Sequence, residues 1–360
     1  MKQKLSIAIL PGDGIGPEVT TAAVTVLGAA AEKFGFEIET ESHPIGWAGV
    51  ESSGHPLPPE TKAAALGADA VFLGAVGDPR ADELPPGLRP EAGLLELRRL
   101  LDCYANLRPA RILDSLVDAS PLRADRIHGT DFLIVRELSS GLYYGEPRSI
   151  KRRGDKVEAV NTLRYSEPEI RRVAEVAFEA AGSRRGRVIS VDKANVLETS
   201  RLWREVVTDV AVEFPDIELE HMLVDRAAME LVLRPSYFDV ILTENLFGDI
   251  LSDEAGAITG SIGLLASASI GTGAGLYEPV HGSAPDIAGK GISNPLGAIL
   301  SIGLLLHHSA GQAVAAQAIE NAVEGVLNSG IRPADLARAG ETPSRTDEIT
   351  EKVVQFIARG

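Results

Sequence analysis

Short apolar runs rich in β-branched residues alternate along the whole chain with longer amphipathic stretches, and this alternation restricts the chain to the α/β class. Residues 5–10, LSIAIL, read as a buried strand stopped by Pro11-Gly12-Asp13-Gly14, with a helix following from Pro17. A second buried strand is expected at 68–77, opening into a Gly/Pro-rich loop that reaches Pro90. Further strands are expected at 131–138, 187–193 and 238–245. Residues 151–165 are charged, carry β-type residues and turn at Arg153-Gly154-Asp155, so they read as a hairpin arm. A lone two-stranded ribbon is marginal in water, and pairing with another subunit would support it. After Glu254 the chain is rich in Gly, Ala and Ser and ends in two or three helices. At 360 residues it exceeds a single-core domain, so two lobes are expected.

The formal net charge of -16 argues against nucleic acid or an anionic membrane as partner, because their phosphates would be repelled. An acidic protein that takes an acidic substrate needs local arginines or a metal to reverse the field. Cys103 is the only cysteine, which leaves no intrachain disulfide and no cysteine metal site. The apolar start is too short for a signal peptide, and no segment has the length of a membrane span. The expectation is a soluble, cytoplasmic protein.

Five groups of residues carry candidate chemistry. In FGDILSDEAG (247–256), Asp249 and Asp253 are four apart and share one helix face. A hard divalent cation would relieve their repulsion; alternatively Asp249 caps the helix and Asp253 and Glu254 favour its positive end. In a helix expected over 91–104, Glu91, Leu94, Leu95 and Arg98 fall at i, i+3, i+4 and i+7, while Leu97, Leu100 and Leu101 face the core. A leucine pair bracketed by an acid and a base suits a ligand with a carboxylate at one end and a small alkyl group at the other, although single leucines are mostly core. Arg108 and Arg136, near strand or helix ends, could join Arg98 in clamping carboxylates. Lys193, at the end of an expected strand, and Tyr143 are candidates for proton transfer; either alone reads first as structural. GDGIG is not a proper G-x-G-x-x-G, so residues 281–295, HGSAPDIAGKGISNP, are the better nucleotide candidate. There Asp286 could accept both ribose hydroxyls and repel a 2′-phosphate; an ordinary surface loop is the other reading.

Taken together, GDGIGPEV, LLELRR, ANLRP, VRELSSGLYYGE, VDKANVLE, TENLFGDILSDEAG and EPVHGSAPDIAGKGISNP resemble, in order and spacing, the β-decarboxylating dehydrogenases of the isocitrate/isopropylmalate type. The resemblance runs from about the tenth residue to beyond Pro295. It implies a two-lobed open α/β/α sandwich that is not a Rossmann fold. Its first, nucleotide-binding lobe would be 1–103 plus 260–360, and its second lobe 104–259, with the dimer interface and the arm. It implies an NAD-dependent oxidative decarboxylation that needs Mg²⁺ or Mn²⁺. Leu94-Leu95 with VREL-x-x-G-x-Y points to 3-isopropylmalate as substrate, because members acting on isocitrate are expected to place a hydroxyl residue near Leu94.

The resemblance also implies roles. Arg98, Arg108 and Arg136 hold the malate carboxylates, with Glu91 beside them, and Leu94 and Leu95 cradle the isopropyl group. Asp249 and Asp253, with Asp225 of a second subunit, bind the metal and through it the substrate. Lys193, also across the interface, takes the hydroxyl proton with help from Asp225, and Tyr143 returns a proton after CO₂ leaves. Glu278, His281, Gly282, Ser283, Ala284, Asp286, Ile287 and Asn294 line the NAD site. Asp286-Ile287 stands where NADP-using relatives are expected to show Lys-Tyr. Two departures from the family pattern stand out: residues 77–93 lack a Pro-Lys-Trp-like run, and Ser139-Ser140 replace the commoner Thr-Gly or Gly-Gly pair. The rival readings are a relative acting on D-malate, tartrate or homoisocitrate, a silent regulatory subunit, and a purely structural NAD-binding module. The second would be expected to lose Tyr143, Lys193 or an Asp ligand, and the third leaves the carboxylates and arginines unexplained.

Overall fold

Consecutive apolar residues in a short run cannot alternate in and out, so such a run must be buried on both faces of a sheet. That is what LSIAIL does in the computed structural model, which describes residues 4–359. Here β1 (Lys4–Gly12) buries Ile7, Ala8, Ile9 and Leu10 in succession. It continues through Pro11, which was expected to stop it. On one side the ladder ends at Ile9, and on the other it pairs Leu10 and Gly12 but skips Pro11, so neither ladder requires the N–H that proline lacks.

Beyond β1 come α1 (Gly16–Phe34), β2 (Glu37–Ser42), α2 (Trp47–Ser53), α3 (Pro59–Gly67), β3 (Ala70–Ala75) and α4 (Pro90–Leu100). Pro17 and Glu18 occupy the first turn of α1, and Gly35 closes it in the left-handed region at φ 72°. Its buried Val19, Ala22, Ala23, Val26, Leu27 and Ala30 form the helical stripe that packs on the sheet. The helix expected over 91–104 is shorter. Asp102 takes a left-handed φ of 47°, and Cys103 and Tyr104 open a strand instead.

The elements β4 (Cys103–Arg111), α5 (Ala124–Ile127), β5 (Asp131–Glu137), β6 (Ser149–Arg153), β7 (Lys156–Val160) and α6 (Glu167–Gly182) follow. Next are β8 (Arg187–Asp192), α7 (Glu198–Ala211), β9 (Glu218–Leu223), α8 (Val224–Leu233), β10 (Val240–Thr243) and α9 (Asn245–Thr259). The chain ends in β11 (Ala266–Gly271), β12 (Gly275–Pro279), α10 (Leu296–His308), α11 (Ala313–Asn328) and α12 (Thr346–Arg359).

Two compact units result. The first holds the chain up to Cys103, Leu113–Pro121, and the chain from Thr259 on. Its strands lie in the order β2-β1-β3-β12-β11, parallel except for the β11–β12 pair. Helices α1 and α10 cover this sheet, and α11 and α12 pack on them. The second unit is Tyr104–Ile112 with Leu122–Ile258. Its strands run β4-β5-β10-β8-β9, with only β4 antiparallel to its neighbour. Helix α6 starts with a capping box between Ser166 and Glu169 and packs on β5, β10 and β8. The strands β6 and β7 form a separate hairpin turning at Arg153-Gly154-Asp155, and most of its side chains are exposed, Ile150 and Val157 among them. No helix among the described residues is long and apolar enough to cross a membrane.

Candidate active site

The register of two strands in the second unit decides which polar side chains meet. In the antiparallel β4–β5 pair, Asn106 lies opposite Arg136. Opposed residues share a sheet face, and so does Arg108 two residues along β4. Arg108 therefore sits mid-strand rather than at a strand end, and its Nε donates to Asn106 Oδ1 at 2.7 Å.

Helix α9 faces these arginines. It starts at Asn245, with the Glu244 carboxylate accepting from the Phe247 N–H at 2.8 Å, so Asp249 lies in the second turn and is not the cap. Asn245, Asp249 and Asp253, at i, i+4 and i+8, form one stripe. Arg136, only 2 % exposed, donates Nε and Nη2 to Asn245 Oδ1 at 3.1 and 2.8 Å and Nη1 to Asp249. Arg108 donates to Ser252 Oγ at 2.6 Å and stands 3.8 Å from Asp249 and 3.7 Å from Asp253.

Tyr143 arrives on a 3-10 turn (Gly141–Tyr143) just after β5. Its hydroxyl donates to Asp249 Oδ2, and the Arg136 guanidinium lies 5.3 Å from its ring centroid. The turn needs glycine at 141, where φ is +76° and an added Cβ would come 2.5 Å from the Tyr165 hydroxyl. One unit of one chain thus gathers Arg108, Arg136, Tyr143, Asp249 and Asp253.

Burial, then the hydrogen bond to Asp249, pushes the Tyr143 hydroxyl up, which keeps it protonated and able to donate. Burial also raises the Asp253 carboxyl; Arg108 opposes the rise and the neighbouring charge of Asp249 adds to it. Side-chain exposures of 35 % for Asp249 and 60 % for Asp253 leave both carboxylates reachable. Two oxygen-donor groups on one helix face fit a hard divalent cation. Among the described residues no three His, Cys, Asp or Glu side chains come together as a metal site.

Lys193 and Asp225 form a second centre in the same unit. Lys193 follows β8 and Asp225 sits in the first turn of α8, and the lysine Nζ donates to Asp225 Oδ1 at 2.5 Å. That bond holds the Asp225 carboxyl below its ordinary range. On α8, Met229, Val232 and Leu233 are exposed at i, i+3 and i+4 and so share one helix face, and Ile250 is exposed on α9.

The first unit carries the remaining candidates. On α4, Leu97 and Arg98 are buried while Leu94 and Leu95 stay partly exposed. Arg98 and Glu278, expected on different ligands, are paired with each other at 2.7 Å. Glu91, exposed in the first turn of α4, lies with Ser283 beside Gly77, where an added Cβ would come 3.2 Å from Ser283 Oγ and 3.7 Å from Glu91 Oε1. The loop 281–295 has no regular structure. His281 hydrogen-bonds the Gly282 carbonyl through Nδ1, and its buried Nε2 meets no partner. Burial lowers the imidazole's pKa and favours its neutral form. Ala284 takes a left-handed φ of 36°, the Ile287 N–H bonds back to it at 3.1 Å, and Asp286 is exposed. Asn294, expected on the cofactor, has its side chain engaged within the fold: Oδ1 caps α10 at Leu296 N and Nδ2 donates to Asp335, both at 3.0 Å. An orphaned imidazole nitrogen, small residues and an exposed carboxylate in one loop are chemistry that fits an adenosine diphosphate.

Sequence reasoning missed three contributors. Asp13, buried between Gly12 and Gly14, accepts from Trp47 and Gly77 N–H at 2.9 Å and from Ala48 N–H at 3.1 Å, joining three segments. Asn245 accepts from Arg136, and Ser252 accepts from Arg108. A charged residue between two glycines, and an amide one helical turn before Asp249, were the available signals.

A family model described as isocitrate/isopropylmalate dehydrogenase matches residues 6–353. A 3-isopropylmalate dehydrogenase of Bacillus subtilis is 57% identical over 357 residues, covering 98% of this chain and 97% of that protein. One of Aquifex aeolicus is 51% identical over 357 residues, covering 99% and 98%. The crystal structure of isocitrate dehydrogenase from Methylococcus capsulatus superposes with a TM-score of 0.88 at 36% identity, covering 98% of this chain and 99% of that one.

Proposed function

We propose, since this chain belongs to the isocitrate/isopropylmalate dehydrogenase family, that it oxidises and decarboxylates 3-isopropylmalate with NAD⁺, yielding 4-methyl-2-oxopentanoate, CO₂ and NADH for leucine biosynthesis. The observation that carries this reading is the convergence of Arg108, Arg136 and Tyr143 on the Asp249–Asp253 pair. It supplies cationic groups for carboxylates, oxygen ligands for a cation and a protonated acid in one place. The partly exposed Leu94 and Leu95 suit the isopropyl group, and a pocket difference of methylene size is worth only about 1–3 kcal/mol, so some turnover of other alkyl malates is expected.

Mg²⁺ or Mn²⁺ on Asp249 and Asp253, with Asp225 of a second copy, would supply Lewis acidity, and NAD⁺ on the 281–295 loop would supply the hydride acceptor. Arg108 and Arg136 hold malate carboxylates in the second unit, and Arg98, paired with Glu278, is the carboxylate-binding candidate of the first. Lys193, held by Asp225, accepts the C2 hydroxyl proton as the C2 hydride leaves. After the C3 carboxylate departs as CO₂, Tyr143 donates its proton to C3. Two copies sharing their active sites suit the exposed apolar residues on α8 and α9 and the hairpin that buries little within its own chain. The first unit would be the nucleotide-binding lobe, and the second would carry the dimer interface. A single cysteine, Cys103, which is buried and free, suits the reducing cytoplasm.

The test is NADH formation from 3-isopropylmalate, NAD⁺ and Mg²⁺, run beside D-malate, isocitrate and tartrate, with EDTA as control. Turnover should favour 3-isopropylmalate and stop with EDTA. Preference for another malate would move the specificity within the family, and silence with all four would leave a non-catalytic subunit. Asp286→Ala should raise the KM for NAD⁺ about tenfold, the loss of one or two charge-assisted hydrogen bonds, and narrow the preference over NADP⁺. An unchanged NAD⁺/NADP⁺ ratio would remove Asp286 from cofactor selection.

A further inference from the structure

Asn245 is buried, belongs to the same α9 stripe as Asp249 and Asp253, and is assigned no part in the reaction above. Its side chain makes three bonds to two different segments. Oδ1 accepts from Arg136 Nε and Nη2, and Nδ2 donates to the Ser140 carbonyl at 3.0 Å. The Tyr165 hydroxyl accepts from its backbone N–H at 3.0 Å, fixing the start of the helix. The amide orientation follows from its partners, since two N–H donors face the oxygen and a carbonyl faces the nitrogen.

Ser140 belongs to the segment that carries Tyr143, and that segment is anchored on several sides. The N–H groups of Ser139 and Ser140 donate to the buried Glu137 carboxylate at 2.7 and 3.0 Å. The Ser140 hydroxyl donates to Glu169, the capping-box glutamate of α6, at 2.5 Å. Through their hydroxyls Ser139 and Ser140 also tie this segment to the Glu137 and Glu169 carboxylates.

We propose that Asn245 is a positioning residue: a neutral bridge that aims the Arg136 guanidinium and locks the Tyr143 turn to the same helix. Neutrality is the central point. A carboxylate at 245 could accept the same two bonds from Arg136, but it would balance the arginine's charge from behind. An amide orients the Nε–Nη2 edge of the guanidinium without adding a second carboxylate to the one, Asp249, that already accepts from Nη1. The second amide arm sets the distance between the group that binds a carboxylate and the group that donates a proton.

This proposal rests on the 3-isopropylmalate reading, so wild-type enzyme is assayed first, followed by N245D and N245A, with KM for each substrate, kcat and melting temperature. N245D should raise the KM for 3-isopropylmalate about tenfold or more while the KM for NAD⁺ stays at its wild-type value. N245A, which frees both Arg136 and the Tyr143 turn, should lower kcat as well. If Asn245 served packing alone, the near-isosteric N245D would be the milder variant. Wild-type KM for 3-isopropylmalate in N245D therefore overturns the proposal. Should N245D fail to fold, wild-type kcat and KM in N245A overturn it instead. A wild-type enzyme that is silent on 3-isopropylmalate removes the underlying reading, and this proposal with it.

Discussion

Lys193→Ala should lower kcat by about 10²–10⁴-fold, the range ordinarily supplied by a positioned proton acceptor, and Tyr143→Phe should lower it on a similar scale. Neither change should unfold the protein. Lys193 pairs with an exposed Asp225, and an ion pair open to water adds little to stability. Tyr143→Phe keeps the ring beside Arg136 and removes only the hydroxyl that donates to Asp249. Near-normal turnover in either variant, with a normal melting curve, would take that residue out of the mechanism.

The two variants also test shared active sites. If Lys193 serves the site built around the partner's Tyr143, a dimer of one Lys193→Ala copy and one Tyr143→Phe copy contains one intact site and one doubly defective site. Refolding the inactive variants together in equal amounts makes half the dimers mixed, and this should restore about a quarter of wild-type activity. No recovery, in a sample shown to have exchanged subunits, would place both residues in the site of a single chain.

The largest effect on stability is expected from Gly12→Ala. Gly12 has φ +73° and pairs with Ala75 in the β1–β3 ladder, where an added Cβ would lie 1.8 Å from the Ala75 carbonyl oxygen. The left-handed backbone alone costs an alanine roughly 1–2 kcal/mol, and the clash with a backbone atom cannot be relieved by a rotamer change, so a total loss of about 3 kcal/mol or more is expected. Gly28→Ala is the control. It lies inside α1 with nothing within 4 Å of the added Cβ, and should stabilise by about 0.5–1 kcal/mol. Denaturant unfolding of both would measure the contrast, and equal midpoints would contradict the geometry at Gly12.

Local information was enough for much of this protein. Periodicity and turn residues along the chain set the α/β class, the buried runs of β1 and β3, the helix opening at Pro17, the hairpin around Gly154 and the shared face of Asp249 and Asp253. Each of these depends on neighbours within one or two turns, whose preferences are written in consecutive residues. The tertiary structure decided the partners. Arg98 pairs with Glu278, 180 residues away, although the two had been expected on different ligands. Arg136 meets Asn245, 109 residues away, because the β4–β5 register and the placement of α9 bring them together. Asp13 draws on N–H groups 34, 35 and 64 residues distant, so a glycine-flanked aspartate that read as a weak motif became the tie between three segments. The end of α4 is marked by a left-handed Asp102, a conformation that aspartate adopts more readily than most side chains and that no right-handed helix continues through. The chain by itself determined which polar and charged groups were available and on which element each sits. Strand register and long-range packing, which a local pattern does not encode, determined which of those groups face one another.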